Sequence, residues 1–186
     1  MKKLFIIVAL MSFSLIVNGQ ILLNFELPDA ISNNTIPVVK NNPKGVVIVF
    51  MSNKCPFTAY YIDRLKAIQK QYIDKGIEVV YVNSFYIGDE TVEEMTVFGK
   101  GHDLSNYLAD KDSKLKKTLG ARKTPEAFLL KNKGGTFTQF YKGPIDNNAQ
   151  VASDVKFHYL KNNIDNLLEG KSATKSTSPV MGCVIK

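Results

Sequence analysis

Residues 46–60 read VVIVFMSNKCPFTAY, and this stretch decides the fold that we predict. Residues 46–51 form an unbroken apolar run, which is typical of a strand buried on both faces of a sheet. From Pro56 onward the apolar residues instead follow one helical face, which holds Tyr61, Leu65, Ile68 and Tyr72. Proline suits the first position of a helix, because its missing N–H would have no partner there. The sequence therefore predicts a strand, a short link and a helix that begins directly after Cys55.

Cys55 is the residue of this stretch that can do chemistry. Backbone N–H groups and the helix dipole favour an anion at a helix start, so a cysteine there can be a thiolate well below its ordinary pKa of about 8.5. The alternative is a buried, inert cysteine. Gly76 and the apolar residues 77–82 complete a strand–helix–strand unit with two parallel strands. Reaction sites in such sheets lie beyond the carboxyl ends of the strands, where Cys55 falls.

Further strands and helices are predicted around this unit. Hairpins are expected within residues 21–39 and 127–141, helices at 90–98 and 113–119, and a short strand at 106–109. We expect Ser153 or Asp154 to cap a last helix, whose apolar face holds Phe157, Leu160, Ile164 and Leu167. The predicted fold class is α/β: a central mixed β-sheet flanked by helices, with an N-terminal β-hairpin extension.

The N-terminus has the layout of a secretory signal peptide. Lys2 and Lys3 precede an apolar run at residues 4–17, and residues 17–19 offer a cleavage site. The run is about 14 residues long, whereas a membrane-spanning helix needs roughly 20; the alternative is an uncleaved anchor. We therefore predict a signal peptide at 1–19, a domain at 20–170, a flexible tail at 171–186, and a chain exported to the periplasm or secreted.

Charge and composition exclude several kinds of partner. The net charge of +7 comes almost entirely from lysines. Lys114, Lys116 and Lys117 cluster without interleaved aromatic residues, which favours a solvated helix face over a nucleic-acid interface. Two cysteines and two histidines at scattered spacings do not make a metal site. We expect no nucleic-acid partner, no metal and no cofactor.

Cys55 and Cys183 invite a disulfide if the chain is exported, and that bond can be structural or catalytic. Residues 171–178 are rich in Ser, Thr and Lys and are expected to be mobile, but the tail turns apolar again around Cys183. Fourteen residues separate Glu169 from Cys183 and span up to about 50 Å. That reach allows pairing within a monomer or between the chains of a homodimer.

Four segments together resemble the thioredoxin-like superfamily, and within it the peroxiredoxin-like branch of alkyl hydroperoxide reductases and thiol-specific antioxidant proteins. Residues 25–29 (FELPD) resemble the N-terminal signature of that branch, and residues 47–56 its strand leading to an active-site Cys-Pro. Residues 124–126 (TPE) resemble the threonine–cis-proline turn that faces the active-site cysteine. Residues 182–186 (GCVIK) are similar to the ending of an exported subgroup.

The sequence also departs from both family patterns. Thr58 stands where a thioredoxin has its second cysteine, so Cys55 lacks an adjacent resolving thiol. Ile48 stands where a typical peroxiredoxin has proline, and Ser52 replaces its threonine while keeping the hydroxyl. The partner thiol is therefore expected at Cys183.

The resemblance implies an exported thiol oxidoreductase. Cys55 would attack a peroxide or a protein disulfide, Cys183 would resolve the product, and an external thiol reductant such as a thioredoxin-like protein would reopen the bond. The alternative is a non-catalytic binding protein held by a structural Cys55–Cys183 disulfide, which would stabilise it by roughly 5 kcal/mol on the chain-entropy model.

The resemblance also implies roles for the residues around the thiol. Arg122 or Lys54 would stabilise the thiolate, and Ser52 would hydrogen-bond the attacked atom. Pro56 begins the helix. A cis Pro125 would leave the backbone of Thr124 free to bind a partner as an added strand.

Overall fold

The computed structural model describes residues 19–84 and 90–185 and has ten strands and four helices in these ranges. The strands are β1 Gln20–Ile21, β2 Glu26–Pro28, β3 Thr35–Pro37, β4 Gly45–Phe50, β5 Ile77–Asn83, β6 Leu108–Ala109, β7 Lys123–Thr124, β8 Glu126–Lys133, β9 Thr136–Gly143 and β10 Cys183–Val184. The helices are α1 Pro56–Tyr72, α2 Val92–Gly101, α3 Lys114–Leu119 and α4 Tyr159–Leu168. Short 3₁₀ turns lie at Ile73–Lys75 and Ala152–Asp154.

A mixed sheet of six strands forms the centre, in the order β1-β9-β8-β4-β5-β6. β4 runs parallel to β5, as the strand–helix–strand unit predicts, and antiparallel to β8. Every residue of β4 is buried, because successive side chains point into two different core layers. Val47 and Val49 pack in one layer and Ile48 and Phe50 in the other. The predicted α/β fold with a mixed central sheet is confirmed.

Helix α1 has the buried face that the sequence predicts. Tyr61, Leu65, Ile68 and Tyr72 are all buried against the sheet. Pro56 occupies the first turn, and Cys55 is the residue that precedes the helix, with extended backbone angles. The chain leaves the helix through a 3₁₀ turn that ends at Gly76, whose φ of 86° is readily adopted by glycine. The start of α1 therefore fixes Cys55 at the carboxyl end of β4.

Two elements are shorter than predicted. The N-terminal hairpin is formed by β2 and β3, because residues 20–21 pair with β9 at the edge of the central sheet instead. The strand predicted at 106–109 is reduced to β6. Asn106, the first residue of the predicted strand, lies before β6. Its side-chain oxygen accepts a hydrogen bond from the backbone N–H of Tyr81 (3.2 Å), in place of a backbone bond between strands.

The predicted start of the last helix is wrong. Ser153 and Asp154 lie in the 3₁₀ turn, and α4 begins at Tyr159 after His158. The side chain of Asn147 accepts hydrogen bonds from the N–H groups of Lys156 (2.8 Å) and Phe157 (2.9 Å), which holds this segment outside the helix. Phe157 is consequently 56% exposed rather than part of the apolar face.

The segment predicted to be flexible, residues 171–186, lies against the domain up to Ile185 in this structure. The side chain of Asn163 bonds to both backbone groups of Thr174, at 3.0 and 2.8 Å. The Tyr159 hydroxyl meets the hydroxyls of Thr177 (2.7 Å) and Ser178 (3.0 Å). These polar contacts hold the segment against the domain, which its composition does not predict. The mobility of the segment in solution and the domain boundary at residue 170 stay predictions.

Most of the predicted signal peptide, residues 1–18, lies outside the described residues. Within the ranges that the structure describes, no helix is long and apolar enough to cross a membrane.

Candidate active site: a disulfide at the start of helix α1

The site is assembled where three segments meet. Phe50 of β4 pairs with Glu126 of β8, which brings the residue before β8, Pro125, beside the carboxyl end of β4. Helix α1 starts at the same end. The peptide bond between Thr124 and Pro125 is cis, as the family resemblance implies. The sheet register thus places the cysteine loop and the proline loop against each other.

Cys55 is held firmly in this corner. Its N–H donates to the carbonyl of Ser52 (3.2 Å), and its carbonyl accepts from the N–H of Thr58 (3.0 Å). Only 3% of the residue is exposed. The sulfur lies 3.1 Å from the carbonyl oxygen of Thr124. Thr124 is itself buried, and its hydroxyl donates to the carbonyl of Phe50 (3.3 Å).

A disulfide joins Cys55 to Cys183 within the same chain, across 128 residues and with 6.1 Å between the two Cα atoms. Cys183 arrives on the tail and is half-buried. The structure therefore brings together the two cysteines that the sequence singles out.

The tail reaches Cys55 as an added strand. β10 pairs antiparallel with β7, so that Cys183 lies opposite Thr124. The N–H of Ile185 donates to the carbonyl of Arg122 (2.9 Å), and the side chain of Ile185 is buried in the core. The chain's own tail occupies this edge in the disulfide-bonded state, and binding of a partner along the backbone of Thr124 stays a prediction.

Ser52 has a partner that sequence reasoning missed. Its hydroxyl donates to Glu90 Oε1 (2.5 Å) and accepts from the N–H of Lys54 (3.0 Å). The side-chain amide of Asn83 also donates to Glu90 Oε1 (3.1 Å). Ser52 and Glu90 are 1% and 5% exposed. In this disulfide-bonded state the proton of Ser52 is thus held by a carboxylate, which is a strong acceptor, and a bond from Ser52 to the attacked atom stays a prediction.

Glu90 carried little signal in the sequence. The sequence predicts it at the start of a helix, whereas it lies just before Thr91, which caps α2 through a reciprocal pair of bonds with Glu94. One sequence signal could have located it. An acidic residue between a buried strand and a helix-capping box lies at the carboxyl end of the sheet, where the site is. Burial raises the pKa of Tyr107 well above the ordinary tyrosine value, and the Glu90 carboxylate raises it further.

The two predicted cationic residues serve other contacts. Lys54 Nζ lies 2.6 Å from Glu94 Oε1, and this bond is the main reason that the pKa of Glu94 is lowered. The side chain of Arg122 is exposed, and this residue takes part in the site through its backbone, where its N–H donates to Glu126 Oε2 (2.8 Å). A role of either side chain beside the thiolate stays a prediction.

Metal ligands do not gather at this site. In residues 19–84 and 90–185, no group of three or more His, Cys, Asp or Glu side chains is arranged to hold a metal ion.

Comparison with known proteins gives matches among solved structures. No protein-family model matches the chain, and no curated protein does. A hypothetical protein from Sinorhizobium meliloti 1021 is 28% identical, with a TM-score of 0.77 over 92% of this chain and 94% of that one. An uncharacterized conserved protein from Geobacillus kaustophilus is 24% identical, with a TM-score of 0.74 over 91% of this chain and 89% of that one.

Thioredoxin-like proteins are also among the matched structures. The pneumococcal exposed lipoprotein thioredoxin from Streptococcus pneumoniae is 22% identical, with a TM-score of 0.58 over 79% of this chain and 98% of that one. The fold is therefore the thioredoxin-like fold that the resemblance implies. Membership of the peroxiredoxin-like branch stays a prediction.

Proposed function

We propose that this chain is an exported thiol–disulfide oxidoreductase in which Cys55 and Cys183 form a reversible disulfide. The observation that carries the proposal is the placement of this bond. It joins a helix start at the carboxyl end of β4 to a half-buried cysteine on a terminal strand. A helix start favours the thiolate that disulfide exchange needs, and exchange requires access to only one of the two sulfurs.

Protein disulfides are the substrates that this site favours over peroxides. The hydroxyl of Ser52, which would otherwise polarise a peroxide, donates to Glu90. The guanidinium of Arg122 is exposed to solvent. The edge of β7 pairs with an extended segment, the chain's own tail, in the disulfide-bonded state, and release of the tail on reduction would free the same edge for a substrate peptide. Export rests on the predicted signal peptide at 1–19, and the matched pneumococcal structure is likewise described as an exposed lipoprotein thioredoxin.

Replacing the attacking thiol tests the proposal. Cys55→Ser is expected to abolish the acceleration that the wild-type chain gives to insulin-disulfide reduction by dithiothreitol, because no other thiol lies at the helix start. Ser153→Ala, on the exposed 3₁₀ turn, is the control and should keep full activity. Wild-type activity in Cys55→Ser would end the proposal. Turnover of hydrogen peroxide but not of insulin would instead favour the peroxidase alternative.

A further inference from the structure

We infer that an external dithiol reductant attacks the sulfur of Cys183, and that Cys55 leaves as the thiolate. This assignment rests on the proposed function. It gives the two sulfurs of the disulfide different roles: one is attacked and the other leaves. A two-cysteine thioredoxin motif has both thiols at one helix start, whereas here one thiol directly precedes the helix and the other lies on the tail strand. The two sulfurs therefore differ in access and in stability as anions.

Access favours Cys183. Disulfide exchange requires a thiolate to approach one sulfur from the side opposite to the bond that breaks. Cys55 is 3% exposed, and the carbonyl oxygen of Thr124 lies 3.1 Å from its sulfur. Cys183 is half-buried, and its neighbour Val184 is 65% exposed. An incoming protein therefore meets Cys183 first.

The tail strand β10 shields Cys55 from solvent. β10 lies directly on β7, and its approach is so close that a Cβ at Gly182 would be 2.5 Å from the Thr124 carbonyl oxygen. Ile185 anchors the far side of the strand in the core, and Lys123 Nζ donates to the carbonyl of Val180 (2.8 Å) on the near side. Cys183 is thus held at both sides, and it is the more exposed of the two bonded cysteines.

Stability of the leaving group also favours this direction. A sulfur at a helix start is a better thiolate than one at the edge of a strand, and a better thiolate leaves faster. The reductant's thiolate forms a new bond to Cys183, and the electron pair of the old S–S bond stays on Cys55. The second thiol of the reductant then attacks the mixed disulfide and releases Cys183. The reductant ends as a disulfide and the chain as two thiols.

The surface around Cys183 fits a protein reductant. Met181 and Val184, on either side of the cysteine, are 51% and 65% exposed. Apolar side chains flanking the attacked sulfur give the reductant a contact that a small thiol does not use.

Trapping the mixed disulfide tests the assignment. The oxidised full chain is mixed with a thioredoxin variant that keeps only its attacking cysteine, quenched with acid at the earliest times, and mapped by mass spectrometry after alkylation. We expect the trap on Cys183 and a free Cys55, by roughly ten to one. A trap mainly on Cys55 would overturn the assignment while leaving the proposed function intact. Failure of every thiol to open the bond would contradict the proposed function itself.

A matched pair of glycine variants tests whether the tail shields Cys55. Gly182→Ala places a methyl group against Thr124 and should loosen the strand, so that the share of trap on Cys55 rises. Gly101→Ala has open space around the added methyl group and should leave the distribution unchanged. An unchanged distribution in Gly182→Ala would contradict the shielding role of the tail.

Discussion

Ser52 and Glu90 form a buried polar pair directly behind the cysteine loop. The serine hydroxyl donates to the carboxylate, and its oxygen receives the N–H of Lys54. One side chain therefore links the loop before Cys55 to the segment before α2. Hydrogen bonds to charged groups contribute roughly 1.5–3 kcal/mol when they are buried.

Ser52→Ala should destabilise the chain by about 1–3 kcal/mol, because it leaves the Glu90 carboxylate with one donor fewer in a buried place. Urea unfolding with the disulfide intact measures the change. Ser153→Ala, at an exposed serine, is the matched control and should unfold like the wild type. Equal stability of the two variants would show that the Ser52–Glu90 bond contributes nothing.

At the scale of elements, the tail depends on a small number of polar anchors before it reaches the site. Asn163 on α4 is fully buried, and its side chain bonds to Thr174 through both its oxygen and its nitrogen. The nitrogen also donates to the carbonyl of Tyr159 (2.9 Å). The side chain of Asn163 therefore holds the start of the tail against helix α4.

Asn163→Ala should release the first part of the tail, since the backbone groups of Thr174 lose their partner. Hydrogen exchange of residues 171–178 is expected to become faster, and the free energy of unfolding should fall by about 1–3 kcal/mol. Asn162→Ala, at the exposed neighbouring residue, is the control. Identical hydrogen-exchange rates in both variants would contradict the role of Asn163 in holding the tail.

At the scale of the whole molecule, local patterns predicted more than long-range ones did. The apolar run at 46–51 and the helical face of α1 depend on neighbouring residues, so the sequence alone indicates them. The partner of Ser52 and the docking of the tail depend on residues about 40 to 130 positions away, which no local pattern encodes. The position of Phe157 also differs from the prediction, because the side chain of Asn147, ten residues earlier, holds it outside the helix.

Buried tyrosines give the whole fold a pH dependence. Burial is the main cause that raises the pKa of Tyr61, Tyr72, Tyr81, Tyr107 and Tyr141. The pKa of Tyr72 rises from 10.0 to about 12. Between these values the folded chain binds more protons than the unfolded chain, so the contribution is complete below pH 10 and is lost as the pH rises through 12.

The free energy of unfolding should therefore fall as the pH is raised above about 10. Urea unfolding between pH 9 and 12 measures the slope. Tyr72→Phe should make the slope shallower, because a phenylalanine has no proton to lose, whereas Tyr60→Phe, at a tyrosine that is 49% exposed, is the control. Identical slopes for the two variants would contradict a role of burial at Tyr72.

The disulfide closes a loop of 128 residues and can stabilise the fold by about 5 kcal/mol on the chain-entropy model. That stabilisation is the same for a structural and for a reversible bond, so stability alone does not separate the two. A reversible disulfide differs from a structural one in that it opens and closes while the chain stays folded.

Equilibrium redox titration of the native chain against a thioredoxin couple is therefore the most direct test. The fraction of Cys55–Cys183 disulfide is counted by alkylation and mass spectrometry at each potential. The account predicts that the bond opens and re-forms reversibly in the range that thioredoxin reaches, at roughly −270 mV, while the fold is kept. A bond that stays closed throughout this range, and opens only when the chain is unfolded, would contradict a redox function.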